Sequence, residues 1–258
     1  MEQLRYYKRH KQEDKLRTEV AALSFLSSTP LRTRTPRLLG VRNDNAIELQ
    51  LLLGRPPQRP TRELFYQIGQ LAREIHAIGN WGAFGTLDGE LHRAKPFTSF
   101  SDFIEAKIIK WELRILDRTE LISRYINWSR KLLDQARADL DEVLPVFCHG
   151  DLDLKNILVT EGKITGLVDW EDSGIFCAEW ELRKLSRWFE NKNAMWESFI
   201  NGYGGLLKND PSVRLRLIKK LEAIDLLGHV GWCIENSHRE EYKDTVDRMT
   251  RLLNVKGG

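Results

Sequence analysis

Asp151, Asn156 and Asp169 are oxygen-bearing side chains whose order and spacing suit magnesium-dependent phosphoryl transfer. Two of them lie in His149-Gly150-Asp151-Leu152-Asp153-Leu154-Lys155-Asn156, the third in Val168-Asp169-Trp170-Glu171. One aspartate can accept the proton of an attacking hydroxyl. An amide oxygen and a second carboxylate can hold the divalent ion that offsets charge on a transferred phosphate. Apolar runs at Leu144 to Phe147, Ile157 to Val159 and Gly166 to Val168 flank these residues and read as short strands. The polar residues then sit at strand ends and on loops, where a rigid scaffold presents chemistry. A hairpin return between the last two runs would bring Asp169 back beside Asn156.

The separation of Asp151 and Asn156 matches the protein-kinase catalytic loop, with Gly150 in place of the arginine. The chain resembles the aminoglycoside phosphotransferase family, small-molecule kinases with a protein-kinase-like fold. The residues that carry the match are Phe147-Cys148-His149-Gly150-Asp151-Leu152 through Asn156, and Gly166-Leu167-Val168-Asp169-Trp170-Glu171. The resemblance extends more loosely from about Tyr6 to about Gly204. It implies ATP and Mg2+ as cofactors, Asp151 as catalytic base, and Asn156 with Asp169 as magnesium ligands. It also places Lys8 and Glu19 as the strand lysine and helix glutamate that grip the nucleotide phosphates. The implied activity is phosphoryl transfer to a hydroxyl of a small molecule: an aminoglycoside, an amino alcohol or a sugar-like acceptor. Glu181 falls where the family often carries an aspartate that braces the catalytic loop, so the extra methylene puts that brace in question.

Other residues read more simply. Asp153 is expected to be solvated. Glu171, two residues past Asp169, serves either a second magnesium or a loop hydrogen bond. His149 and His76 are expected to be structural. Trp232, near Glu235, Glu240 and Glu241, reads first as one packed tryptophan on a solvated acidic face. Acidic and aromatic lining for a cationic acceptor is the second reading.

Composition excludes several classes. With 41% hydrophobic and 30% charged residues, this is an ordinary globular chain of 258 residues, able to bury a sizeable core. A net charge of +3, with Glu13, Asp14 and Glu19 among the N-terminal basic residues, argues against nucleic acid. Cys148, Cys177 and Cys233 form no CxxC pair, so the spacing supports neither a disulfide framework nor a zinc site. No apolar run is long enough to span a membrane, and a cytoplasmic location is expected.

The elements that must position these residues follow from periodicity. Leu4 to Lys8 reads as a strand and Gln12 to Ser27 as an amphipathic helix. Arg37 to Val41 and Ala46 to Leu53 read as strands around a turn at Asn43-Asp44-Asn45. Gly54 to Pro60 reads as a linker, and Thr61 caps a helix to Ile78. Asn80 to Leu91 reads as a loop. Further helices are expected at Ser99 to Leu116, Glu120 to Leu140, Glu179 to Glu190, Ala194 to Tyr203, Ser212 to Glu235 and Glu240 to Leu253. The sum is α+β: a protein-kinase-like, two-lobe fold with a reduced N-lobe sheet (residues 1–56) and a mainly helical C-lobe (57–258).

One departure matters. No glycine precedes Gly40, so the Gly-rich hairpin that covers nucleotide phosphates in kinases is missing before the lysine strand. A start placed inside a longer gene and a natural minimal form both fit. Either way the nucleotide loses its roof, and the alternative function is a catalytically impaired, kinase-like binding protein. The exposed sheet edge would also be open to pairing with a second copy. A protein-kinase activity is the weakest reading, because Arg is absent before Asp151 and no Ala-Pro-Glu segment occurs.

Overall fold

The computed structural model describes residues 4–42, 44–87, 96–115, 119–189, 193–204 and 211–254. Asn43, residues 88–91, Leu116 and Glu190, each part of an expected element, lie outside these. The elements run β1 (Arg5–Arg9), α1 (Glu13–Leu26), β2 (Leu38–Arg42), β3 (Ala46–Gln50), α2 (Arg62–His76), β4 (Gly85–Thr86), α3 (Phe100–Arg114), α4 (Glu120–Asp141), β5 (Val146–Cys148), β6 (Ile157–Thr160), β7 (Lys163–Leu167), β8 (Gly174–Phe176), α5 (Ala178–Leu182), α6 (Asn193–Tyr203), α7 (Pro211–Asn236) and α8 (Arg239–Asn254). The chain packs as two compact units, Met1–Pro96 with Leu144–Pro211 and Phe97–Val143 with Ser212–Gly258. The N-terminal sheet belongs to the first of these units.

The first unit holds three small antiparallel sheets, ordered β1-β3-β2, β4-β8-β5 and β6-β7. Lys8 pairs with Ile47 across β1 and β3. The β6–β7 hairpin turns on Glu161 and Gly162, both with positive φ (50° and 77°), the conformation a two-residue hairpin turn needs. Its register sets Ile157 against Leu167, and just beyond, the Val168 N–H donates to the Asn156 carbonyl at 3.0 Å. That closure is what returns Asp169 toward Asn156. The expected linker is pinned to this hairpin: Arg55 and Val159 exchange backbone hydrogen bonds of 3.1 and 2.9 Å.

The Thr61 hydroxyl caps α2 by accepting from the Leu64 N–H at 3.1 Å, and Leu64, Phe65, Ile68, Leu71 and Ile75 form its buried stripe. Helix α6 lies directly on α2 because two glycines face it. A Cβ on Gly69 would sit 2.2 Å from the Phe199 carbonyl oxygen, and one on Gly202 would sit 1.9 Å from that of Tyr66. Strands β4 and β8 carry no signal in the sequence pattern, being short and flanked by loops.

The helix expected from Glu179 to Glu190 is corrected. It stops at Leu182, where the backbone passes into tighter turns, with Arg183 N–H on the Trp180 carbonyl at 3.3 Å and Leu185 N–H on that of Leu182 at 3.1 Å, and the Arg183 side chain donates to the Trp180 and Gly150 carbonyls at 2.8 and 3.0 Å. A single 3₁₀ turn follows at Ser186–Trp188.

The second unit is helical. Ser99 and Thr119 cap α3 and α4, and the buried Tyr125 hydroxyl on α4 donates to the Ala223 carbonyl on α7 at 2.7 Å. No helix among the described residues is long and apolar enough to cross a membrane.

Candidate active site

Lys8 and His10 alternate with Tyr7 and Arg9 along β1, so both point to the face that α1 covers. Lys8 Nζ donates to Glu19 Oε2 at 2.7 Å, lies 2.9 Å from Glu171 Oε2, and also pairs with Asp169 Oδ1. Burial disfavours its charge, but Glu19, Asp169 and Glu171 outweigh that and raise its pKa. Glu19 is fully buried, and its second oxygen accepts from the Trp170 N–H at 3.2 Å. This one carboxylate thus ties β1 to the segment that carries Asp169.

His10 escaped the sequence reading. The period-two signal was there, but its meaning depends on Glu171, far along the chain. Its buried imidazole sits with Nε2 3.1 Å from Glu19 and Nδ1 3.3 Å from Glu171. Burial lowers its pKa, but hydrogen bonding to Glu171 and Glu19 more than offsets this, and the value rises from 6.5 to about 9. Glu171 moves the other way, from 4.5 to about 2, chiefly through His10 and then Lys8 against the effect of burial.

The signs of the two shifts define a window. The raised His10 contributes stability that is complete below pH 6.5 and lost as pH climbs through about 9. The depressed Glu171 contributes stability that is present above pH 4.5 and lost as pH falls through about 2. Between pH 6 and 9.5 the wild type is expected to lose on the order of 2 kcal/mol more unfolding free energy than His10→Gln. Denaturant melts at the two pH values check this, and parallel pH profiles would refute it.

The loop that carries Asp151 leaves β5 at Cys148, whose thiol is buried and held well above its ordinary pKa by that burial. The next residues are fixed by Glu181. Its carboxylate accepts from the His149 N–H and, at 3.1 Å, from the Gly150 N–H. The longer side chain therefore reaches the loop, and the bracing contact is present with glutamate. Glu181→Ala would strand two buried N–H groups, an expected loss of about 2–4 kcal/mol in a thermal or denaturant melt. A loss under 1 kcal/mol would mean that the loop holds itself.

His149 is structural in its contacts. The Asp151 N–H donates to Nδ1 at 3.2 Å, which leaves the proton on Nε2 to donate to the Val168 carbonyl at 2.9 Å. One imidazole thereby links the loop to the segment before Asp169. Asp153 is not solvated as expected. It is buried, caps the following turn through the Leu154 N–H at 2.6 Å, and pairs with Arg187. His76 is buried with Nδ1 2.7 Å from the Tyr203 hydroxyl, and burial pulls its pKa to about 3, so it stays neutral.

Asp151 lies 2.9 Å from Lys155 Nζ and 4.0 Å from Lys184 Nζ. Burial raises its pKa, but Lys184 and Lys155 together carry it below the ordinary value. The Asn156 amide nitrogen donates to the Asp151 carbonyl at 2.9 Å and to its carboxylate at 3.1 Å. Both amide protons being turned to Asp151, Oδ1 is the end left to meet a cation. Asp169 has a left-handed backbone (φ 70°), a conformation that costs a non-glycine residue about 1 kcal/mol or more and that often marks a functional position. Amide and carboxylate oxygens are the donors a hard ion such as magnesium takes. Lys8, Glu19, Asp151, Asn156 and Asp169 all belong to the first unit.

The family model for the phosphotransferase enzyme family matches residues 4–215. No curated protein matches the chain in sequence. Among solved structures, it is similar to the GDP and kanamycin complex of APH(2")-IIia, with 14% identity, a TM-score of 0.73, and 98% of this chain against 87% of that one. Aminoglycoside phosphotransferase APH(4)-Ia gives 14% identity and a TM-score of 0.76 over 99% and 88% of the two chains. Macrolide 2'-phosphotransferase type I gives 11% identity and a TM-score of 0.65 over 96% and 83%. At these identities the likeness shows the fold, which is α+β and protein-kinase-like.

Proposed function

Because the chain belongs to the phosphotransferase enzyme family, we propose that it moves the terminal phosphoryl group of ATP, with Mg2+, to a hydroxyl of a small molecule. The observation that carries this is the presence, in one compact unit, of two hydrogen-bonded sets, Lys8 with Glu19 and Asp169, and Asn156 with Asp151, tied by the Val168 N–H donating to the Asn156 carbonyl at 3.0 Å. Asp151, ionised at neutral pH, orients the acceptor hydroxyl and takes up its proton. Asn156 Oδ1 and the Asp169 carboxylate hold the metal. Lys8, fixed by Glu19, presents its ammonium to the nucleotide phosphates. Magnesium, when bound, offsets charge on the transferred group. Kanamycin and GDP in one similar structure, and a macrolide phosphotransferase among the others, support a hydroxylated acceptor and a purine nucleotide.

The test is phosphate transfer from ATP, and in parallel GTP, to a panel of aminoglycosides, macrolides, amino alcohols and sugars. Magnesium-dependent transfer to at least one class is expected. A second reading is a binding protein without turnover. A magnesium-dependent thermal shift with nucleotide but no transfer to any acceptor would decide for it. Among the described residues β1 pairs only with β3, and Tyr6 and Tyr7 on it are half exposed. Self-association through this edge belongs to the same proposal, and sedimentation velocity of the wild type against a Tyr7→Lys variant checks it.

A further inference from the structure

The corner between α7 and α8, in the second unit, gathers imidazole, thiol and carboxylate groups that phosphoryl transfer does not use. His229 and Cys233 lie one turn apart on the same face of α7. Helix α7 ends in a left-handed Ser237 (φ 58°), with Ser237 N–H donating to the Ile234 carbonyl at 3.3 Å and His238 N–H to the Cys233 carbonyl at 3.0 Å. This paired closure folds the chain back over the last turn of α7. Helix α8 starts at once, with Tyr242 N–H donating to the His238 carbonyl at 2.9 Å. The reversal sets Glu241 against both histidines, Oε2 3.6 Å from His229 Nε2 and Oε1 3.7 Å from His238 Nδ1.

The donor atoms of His229, Cys233 and Glu241 all lie within 4.8 Å of one another. Trp232 stacks against both imidazoles, at centroid distances of 5.5 Å to His229 and 4.7 Å to His238, and so limits their rotation. Cys233 is buried, whereas the side chains of His229 and Glu241 are 33% and 52% exposed, which gives an ion a way in. A surface hollow of about 330 Å³, lined by Ser237 to Glu241, opens beside them.

We propose that His229, Cys233 and Glu241 form a zinc-binding site, with His238 steadying the second oxygen of the Glu241 carboxylate. Both imidazole–carboxylate separations are too long for direct hydrogen bonds. Zinc–nitrogen and zinc–sulfur bonds put neighbouring ligand atoms about 3.5 Å apart, so small side-chain movements close the set. One thiolate, one imidazole and one carboxylate favour zinc over magnesium or calcium, and water completes a tetrahedron. On binding, the Cys233 thiol gives its proton to solvent and nothing is oxidised or reduced. The bound ion would staple α7 to α8. The absence of a CxxC pair does not exclude such a site, because its ligands come from one helical turn and a chain reversal.

The test titrates the chelator-treated full chain, in excess Mg2+, with Zn2+ by calorimetry and with Co2+ by absorbance. One equivalent of Zn2+ is expected at micromolar Kd or tighter, with a rise in Tm and a thiolate-to-cobalt charge-transfer band. Cys233→Ser is expected to remove the band, and His238→Ala to weaken binding about tenfold. His229→Gln serves as a second ligand variant if Cys233→Ser does not fold, with binding expected to fall at least tenfold. Lack of saturable binding, or a band that survives in Cys233→Ser, overturns the proposal.

Discussion

Asp151→Ala is expected to lower kcat by about 10³-fold while the fold and the magnesium-dependent nucleotide response persist. In the proposed reaction this carboxylate takes the acceptor proton. The Lys155 and Lys184 ammonium groups flank it at 2.9 and 4.0 Å. Its depressed pKa keeps it ionised at neutral pH but also makes it a weak base. Its work is therefore to orient the hydroxyl and receive the proton late, as suits a loose transition state with little early demand on the nucleophile. Removal should spare metal binding, since Asn156 still donates to the residue 151 backbone carbonyl at 2.9 Å. The loss should then appear in kcat, with the nucleotide KM changed little. Steady-state kinetics with a thermal shift on the same variant measures both. Turnover equal to wild type would remove Asp151 from the proposed role.

What could be read from the sequence was whatever depends on neighbours along the chain. The family resemblance, with the order strand, lysine, helix, glutamate, led to the contact of Lys8 with Glu19, because β1 and α1 are adjacent along the chain. The expected hairpin return led likewise to the closeness of the Asn156 and Asp169 segments, and the structure places its turn at Glu161-Gly162. Thr61 marked its helix start because a hydroxyl there satisfies an otherwise unpaired N–H.

What escaped depends on contacts between distant segments. His10 gains its role from Glu171, and Asp153 is buried because Arg187 comes to meet it. Glu181 keeps its hold on the catalytic loop through side-chain reach, which a residue-type comparison does not measure. After Leu182 the Arg183 side chain reaches back to Gly150, and no local propensity encodes that contact. The units likewise follow packing, with Gly69 and Gly202 allowing α2 and α6 to touch.

Gly150→Ala is expected to destabilise the protein by about 3–5 kcal/mol, far more than glycine-to-alanine changes at ordinary loop positions. Two costs combine. Gly150 has φ of 86°, which an alanine adopts only under strain of about 1–2 kcal/mol. A Cβ there would also lie 1.9 Å from the Asp172 carbonyl oxygen and 2.6 Å from its carbon, both backbone atoms that cannot swing aside. The loop cannot retreat either. The Gly150 N–H is held by Glu181 at 3.1 Å and its carbonyl by the Arg183 guanidinium at 3.0 Å. Relief by rotation would break these buried hydrogen bonds and displace Asp151, the next residue, so kcat should fall along with stability. Gly162→Ala is the matched control: its φ of 77° carries the same strain, but no atom lies within 4 Å of its Cβ position. That variant should lose only about 1 kcal/mol and keep full activity. Thermal melts of the pair should differ by roughly 10 °C, taking 2–4 °C per kcal/mol for a chain of this size. Equal, small losses in the two variants would show that the loop yields at Asp172, and that the glycine before Asp151 is not required by the close approach of the backbone.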